Sequence, residues 1–181
     1  MRTIVAIVGD SGSGKTLASM ILKEIMDWNL IVSFTTRPIR AGELNGREHW
    51  FVKKTCIPDS NKMCAYTIFG HHQYWTEWGQ FVNNSTNVYV IDESGLINLQ
   101  SKEVTPFPFH LVTIKMKRKD RNGIDSQRIE RDKDRVSIPD EWYDYVINND
   151  DSIDILQSTL YLVGKDIERK AKIWNRKKTN Q

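Results

Sequence analysis

From Thr3 to Val8 the chain is β-branched and continuously apolar, which reads as a strand buried on both faces, as in a parallel sheet. A glycine- and serine-rich loop follows over 9–14. Apolar residues then return at Leu17, Met20, Ile21, Ile25 and Met26, a spacing that predicts a helix over 16–28. Leu30 to Phe34 predicts a second strand. Strand, loop, helix and strand within 34 residues form a βαβ unit, whose crossover is right-handed in nearly all proteins.

The pattern then changes. Residues 35–48 hold Arg37, Arg40, Glu43, Arg47 and Glu48 among Pro38, Gly42 and Gly46, and read as an irregular arm. Short strands are predicted at His49–Val52, Ala65–Phe69 and Gln80–Val82, with a hairpin turn at Gly70-His71-His72. Residues 35–84, rich in β signals and aromatics, are therefore expected to form a small insert. The α/β pattern resumes with buried-strand runs at Asn87–Ile91 and Phe109–Ile114. A polar helix follows over 126–135, then a short strand at Tyr145–Ile147. Ser152 is placed to cap a final helix with Ile153, Leu156, Leu160, Val163 and Ile167 on one face. The basic tail, 169–181, is expected to fray. The expected fold is a single three-layer α/β domain, 1–181, with a parallel sheet and helices on both faces.

Composition narrows the function by exclusion. Lys plus Arg number 26 against 23 Asp plus Glu, a net charge of +3, too mild for a dedicated nucleic-acid binder. Two cysteines, Cys56 and Cys64, exclude a disulfide scaffold and a four-cysteine zinc site. His71 and His72 with Cys64 lack zinc-motif spacing. No apolar run approaches a membrane span, and the N-terminus lacks signal-peptide features, so the expectation is a cytoplasmic protein with no membrane partner. Trp75 and Trp78 read as core aromatics rather than stacking platforms.

Gly9-Asp10-Ser11-Gly12-Ser13-Gly14-Lys15-Thr16 fits G-x-x-x-x-G-K-[ST], between a buried strand and an amphipathic helix. Glycines let the backbone wrap a phosphate with its N–H groups turned inward, and the helix start adds partial positive charge. Lys15 is positioned for the β- and γ-phosphates, and the Thr16 hydroxyl for Mg²⁺. ATP and Mg²⁺ are the implied ligands. Asp92, an acid ending a buried strand, is the expected second Mg²⁺ anchor, although the same residue also suits a helix cap.

Ser33 to Arg47 reads S-F-T-T-R-P-I-R-A-G-E-L-N-G-R. Arg37 and Arg40, held by Pro38, form a fork suited to a phosphate dianion. The stretch resembles the acceptor-binding arm of guanylate kinases, T-T-R-x-x-R-x-G-E-x-N-G. Tyr74 and Thr76 resemble the family's Y-G-[ST], Asp92 and Gly95 its D-x-x-G, and Tyr145 to Asp150 its late V-I-x-N-D turn. The resemblance implies a P-loop kinase fold with a β-rich acceptor insert (35–84) and a short lid (115–131). It also implies transfer of the ATP γ-phosphoryl group to a nucleoside monophosphate such as GMP or dGMP. Arg37, Arg40 and Tyr74 would then grip the acceptor phosphate, Ser33 and Thr76 would face the base, and Asp92 would sit near both acceptor and Mg²⁺.

Three departures stand out. Ala65 falls where the family has the glutamate that reads guanine, and a methyl group accepts no hydrogen bond. His49 replaces a tyrosine on the acceptor phosphate; an imidazole still donates, more strongly when protonated. The lid is shortened to Lys115–Asp125 before the next helix, where Arg128 matches a family arginine and Arg118 and Arg121 are the remaining candidate lid cations.

Rival readings are a kinase of broader or non-guanine deoxynucleotide range, of the kind a virus would encode, a catalytically inactive binding module, and a GTPase or regulatory ATPase. The intact Gly14-Lys15-Thr16 argues against the inactive module. The arginine arm argues against a nucleotide switch, which binds no second phosphate.

Overall fold

The computed structural model describes residues 2–101, 105–120, 122–133 and 135–179, the side chains of 127, 128, 131 and 177–179 excepted. Strand β1 (Arg2–Val8) is the centre of a five-stranded sheet. β7 (Thr86–Val90) pairs with one edge of β1 and β8 (Phe109–Lys117) with the other. β2 (Asn29–Ile31) lies outside β7, and β9 (Tyr145–Asn148) outside β8. Every pairing is parallel, so the ends that follow each strand gather on one side of the sheet.

The period of a strand explains the two cores. Val5 and Ile7 point to one face and meet Ala18 and Leu22 of α1 (Lys15–Met26) and Leu156 and Leu160 of α4 (Ile153–Thr179). Ile4, Ala6 and Val8 point to the other and meet Leu96 and Leu99 of α2 (Glu93–Gln100), together with Trp78, Phe81 and Tyr143. The three layers expected from the apolar pattern are therefore present. Trp75 and Trp78 are core residues, 1% and 9% exposed. Among the described residues no helix is long and apolar enough to cross a membrane.

Several boundaries differ from the sequence reading. The run Leu30–Phe34 is split between two sheets. Its first part is β2, whereas Phe34–Thr35 is β3, in a second four-stranded sheet ordered β4-β3-β6-β5. The break falls at Val32 and Ser33, whose carbonyls accept from the Gln80 side chain at 2.8 Å and from the Trp50 N–H at 2.9 Å. β4 is Trp50–Phe51 and β5 is Met63–Phe69. β6, His72–Glu77, was not expected as a strand; it follows the Gly70–His71 turn and buries Trp75 against Phe34. Residues 80–82 are not a strand. A 3-10 turn over Trp78–Gln80 forms instead, closed by a capping box between Glu77 and Gln80.

The polar helix α3 spans Ser126–Lys133. In α4, Ile153 is exposed rather than on the buried stripe. Where it is described, the tail is the last part of α4, which continues to Thr179. Ala171 is buried, Trp174 stacks on His110, and Asp166 pairs with Arg169 and Lys170 at 2.6 and 2.9 Å.

Candidate active site

β1 delivers the chain to the phosphate loop at the carboxyl ends of the strands, where α/β proteins place their ligands. Two glycines have no substitute there. Gly9 adopts φ 143°, and a Cβ on it would lie 2.2 Å from the Met116 carbonyl oxygen. Gly14 caps α1 at φ 95°, and a Cβ there would lie 2.3 Å from Asn149 Nδ2. That close approach lets the Asn149 amide donate to the Ser13 carbonyl at 3.1 Å, while its backbone N–H donates to the Lys117 carbonyl at 2.7 Å. The turn after β9 thus braces the loop from below. Lys15 Nζ donates to the carbonyls of Gly9 and Asp10 at 2.6 and 2.7 Å.

Opposite the loop stands the arm after β3. Arg37 is only 6% exposed. Its guanidinium is held by Glu43 through two bonds of 2.9 Å and donates to the Pro38 carbonyl at 2.7 Å. Glu43 also accepts from the Arg40 N–H at 2.9 Å. Burial pushes the Glu43 carboxyl up, but the Arg37 and Arg40 bonds and charges outweigh it and hold the group below its ordinary range. The Arg40 side chain is more exposed, 3.9 Å from Glu43.

His49 lies behind the arginines. Its Nδ1 shares a hydrogen bond of 2.8 Å with Ser33 Oγ, and its ring meets the edge of Tyr74. Burial, and then the positive charge of Arg37, lower its pKa from 6.5 to about 4. Near neutral pH His49 is therefore an uncharged imidazole, and any bond it donates there comes from its neutral ring N–H.

Loop and arm face each other across a cleft of about 510 Å³. It brings together Ser11, Gly12, Gly14, Lys15, Thr16, Ser33, Arg37, Arg40, His49, Tyr74, Asp92 and Arg118. Gly9 and Ser13 belong to the loop but do not line the cleft. Thr76 does not line it either. Its hydroxyl, fully buried, donates to the Tyr89 phenol oxygen, and it is Tyr89 that reaches the wall. Burial raises the Tyr89 pKa, and burial also pushes the Cys64 thiol up to about 12, so neither offers an anion near pH 7. Asp92 caps α2, its Oδ1 accepting from the Gly95 N–H at 2.7 Å and its Oδ2 from the Thr67 hydroxyl at 3.2 Å. Arg121 and the Arg128 side chain lie outside the described residues.

The cationic run after β8 divides by partner. Lys115 and Lys117 pair with Asp140 at 2.9 and 2.7 Å. Arg118 faces the cleft and also an adjoining recess of about 520 Å³. Glu93 lines that recess with a buried Oε2 that has no hydrogen-bond partner among the described residues, and burial raises its pKa.

Sequence reasoning missed Arg135, Asp132, Glu43, Thr67, Tyr89 and Asn149. Arg135 lines the cleft, and its Nη1 donates to the Gly9 carbonyl at 3.2 Å. Glu43 and Asn149 carried a local signal, as the acid of the G-E pair in the arm and the asparagine of the V-I-x-N-D turn. Asp132 and Arg135 look like ordinary solvated charges in a polar helix.

Ala65 also lines the cleft. It sits in the left-handed region at φ 52°, where the pairing of β5 with β6 slips between Cys64 and Thr67. Its methyl side chain offers no acceptor.

Comparison with known proteins agrees with this geometry. The family model described as guanylate kinase matches residues 1–162. The guanylate kinase of Wolbachia pipientis wMel is 29% identical over 190 residues, covering 93% of this chain and 92% of that protein. That of Blochmanniella floridana is 26% identical over 163 residues, covering 80% and 78%. Among solved structures, guanylate kinase from Anaplasma phagocytophilum matches with a TM-score of 0.66 at 20% identity, over 93% of this chain and 86% of that one, a likeness of fold.

Proposed function

The chain belongs to the guanylate kinase family of ATP-dependent nucleoside monophosphate kinases, and on that premise we propose that it transfers the γ-phosphoryl group of ATP to GMP. One observation carries the reading. A phosphate loop and an arginine fork whose Arg37 is buried and pre-paired with Glu43 line the same cleft, so two phosphate-bearing ligands can face each other there.

On this reading the N–H groups of residues 9–16 cradle the triphosphate, and Lys15 turns from its loop carbonyls to the β- and γ-phosphates. Arg37, Arg40 and Tyr74 hold the acceptor phosphate. Ser33, backed by His49, and Tyr89, backed by Thr76, face the base. An acceptor phosphate oxygen attacks the γ-phosphorus, the bond from that phosphorus to the β-phosphate oxygen breaks, and ADP leaves. No protein nucleophile is used. Catalysis is positioning together with charge neutralisation by Lys15, Arg37, Arg40 and the closing cations Arg118, Arg121 and Arg128.

The donor set suits Mg²⁺. The Thr16 hydroxyl and the Asp92 carboxylate line one cleft, and among the described residues each Asp92 oxygen takes a single hydrogen bond, so lone pairs remain. Among the described residues no group of three or more acidic, His or Cys side chains forms a metal cage. When bound, the ion neutralises phosphate charge.

The test is to incubate the protein with Mg-ATP and each ribo- and deoxynucleoside monophosphate separately and to measure diphosphate formation. GMP or dGMP should be turned over. No product from any acceptor overturns the proposal, and ATP hydrolysis without an acceptor would favour a regulatory ATPase.

A further inference from the structure

The phosphate loop already holds an anion supplied by the protein. Asp132, near the end of α3, has a side chain only 5% exposed. Its Oδ2 accepts from the Ser11 N–H at 2.8 Å, and its Oδ1 accepts from the Ser11 hydroxyl at 3.0 Å. Arg135 accompanies it: its Nε lies 3.4 Å from the same carboxylate, and its Nη1 donates to the Gly9 carbonyl at 3.2 Å. Ahead of α3, Ile124 packs on the same loop, its Cδ1 2.5 Å from where a Cβ on Gly12 would stand. Three side chains in and around α3 therefore bear on three loop residues.

A backbone N–H and a hydroxyl that donate to a carboxylate, with a guanidinium charge beside it, are the groups that a phosphate oxygen uses. One N–H cannot serve both anions, and two anions held together there repel each other strongly where water is sparse. We propose that Asp132 is a resident anion of the phosphate loop which the donor triphosphate displaces, so that nucleotide binding and release of α3 from the loop are coupled. The inference rests on the reading of residues 9–16 as a triphosphate site. The Asp132–Ser11 contact holds the loop in its wrapped form and the closing segment against it. Triphosphate replaces the carboxylate, leaves Arg135 beside a phosphate instead, and lets α3 move. By reciprocity, anything that weakens the Asp132–Ser11 contact tightens the triphosphate.

The test compares wild type, Asp132→Asn and Asp132→Ala by calorimetric titration with Mg-ATP and with magnesium-bound inorganic tripolyphosphate, using adenosine as an uncharged control. Both variants should bind both phosphates about tenfold more tightly, the scale of one charge-assisted hydrogen bond, with adenosine unchanged. Equal or weaker phosphate binding by variants that melt cooperatively overturns the exchange while leaving the triphosphate site intact. Loss of a cooperative melt in both variants also overturns it, since the contact would then be a structural tie. If wild type binds neither phosphate, the triphosphate-site reading fails and takes the exchange with it.

Discussion

The Glu43 carboxylate grips the Arg37 guanidinium through two parallel bonds of 2.9 Å, with Arg37 almost wholly buried. A buried guanidinium needs an anion, and Glu43 supplies it while leaving the fork aimed at the cleft. Glu43→Gln keeps the shape and removes the charge. We expect KM for GMP to rise about tenfold with a smaller change in kcat, and stability to fall by about 1–3 kcal/mol, the range for a lost charged hydrogen bond. Steady-state kinetics and urea melts read the two effects. An unchanged KM would remove Glu43 from acceptor binding.

Lys15 is bonded to its own loop carbonyls at 2.6 and 2.7 Å, within reach of whatever the loop cradles. Lys15→Ala should cut kcat by about 10²–10³, the magnitude found when one donor to developing charge is removed. The melting temperature should change little, since the loop keeps its glycines and the Asn149 brace. Near-normal phosphoryl transfer by this variant would sink the kinase assignment.

What could be read from the chain was what short segments carry alone. The phosphate loop is eight contiguous residues between a buried strand and a helix. The Arg37–Arg40 fork is likewise local, and residues of both line the cleft. What could not be read depends on distant partners. Leu30–Phe34 looks like one strand, and the break at Val32 exists because Gln80 and Trp50 capture the backbone there. Thr76 resembles a ligand-facing hydroxyl until Tyr89 is found bonded to it. Asp132 and Arg135 resemble solvent charges, and only the placement of α3 over the loop gives them partners.

Ala65 lines the cleft at φ 52°, in the position where the family resemblance expects a glutamate. Ala65→Glu adds no new backbone strain, since alanine already carries a Cβ in that conformation. A carboxylate there accepts from the N1–H and the amino group of guanine, and no other common base presents that pair. We expect kcat/KM for GMP relative to AMP to rise by about 10²-fold or more, because polar groups built to a substrate discriminate strongly. Parallel assays with GMP, AMP and their deoxy forms check it; an unaltered ratio would mean that the base is read elsewhere on the wall.

His49 makes folding sensitive to mild acid. Its pKa falls from 6.5 to about 4 on folding, because burial and the neighbouring Arg37 both oppose the imidazolium. Between those values the unfolded chain binds a proton that the folded chain does not. Stability is therefore complete above the unfolded value of 6.5 and declines as pH drops towards about 4. At pH 5 the loss from this one group is about 2 kcal/mol. His49→Gln has no such proton and should lose that much less stability between pH 7 and pH 5. His110, whose pKa is also lowered by burial, contributes in the same direction in both proteins and so cancels in the comparison. Urea melts of the two proteins at both pH values decide the matter. Equal losses would mean that the imidazole takes a proton inside the folded site and that Arg37 tolerates a positive neighbour. That outcome would also undo the neutral Ser33–His49 pair on which the proposed base wall depends.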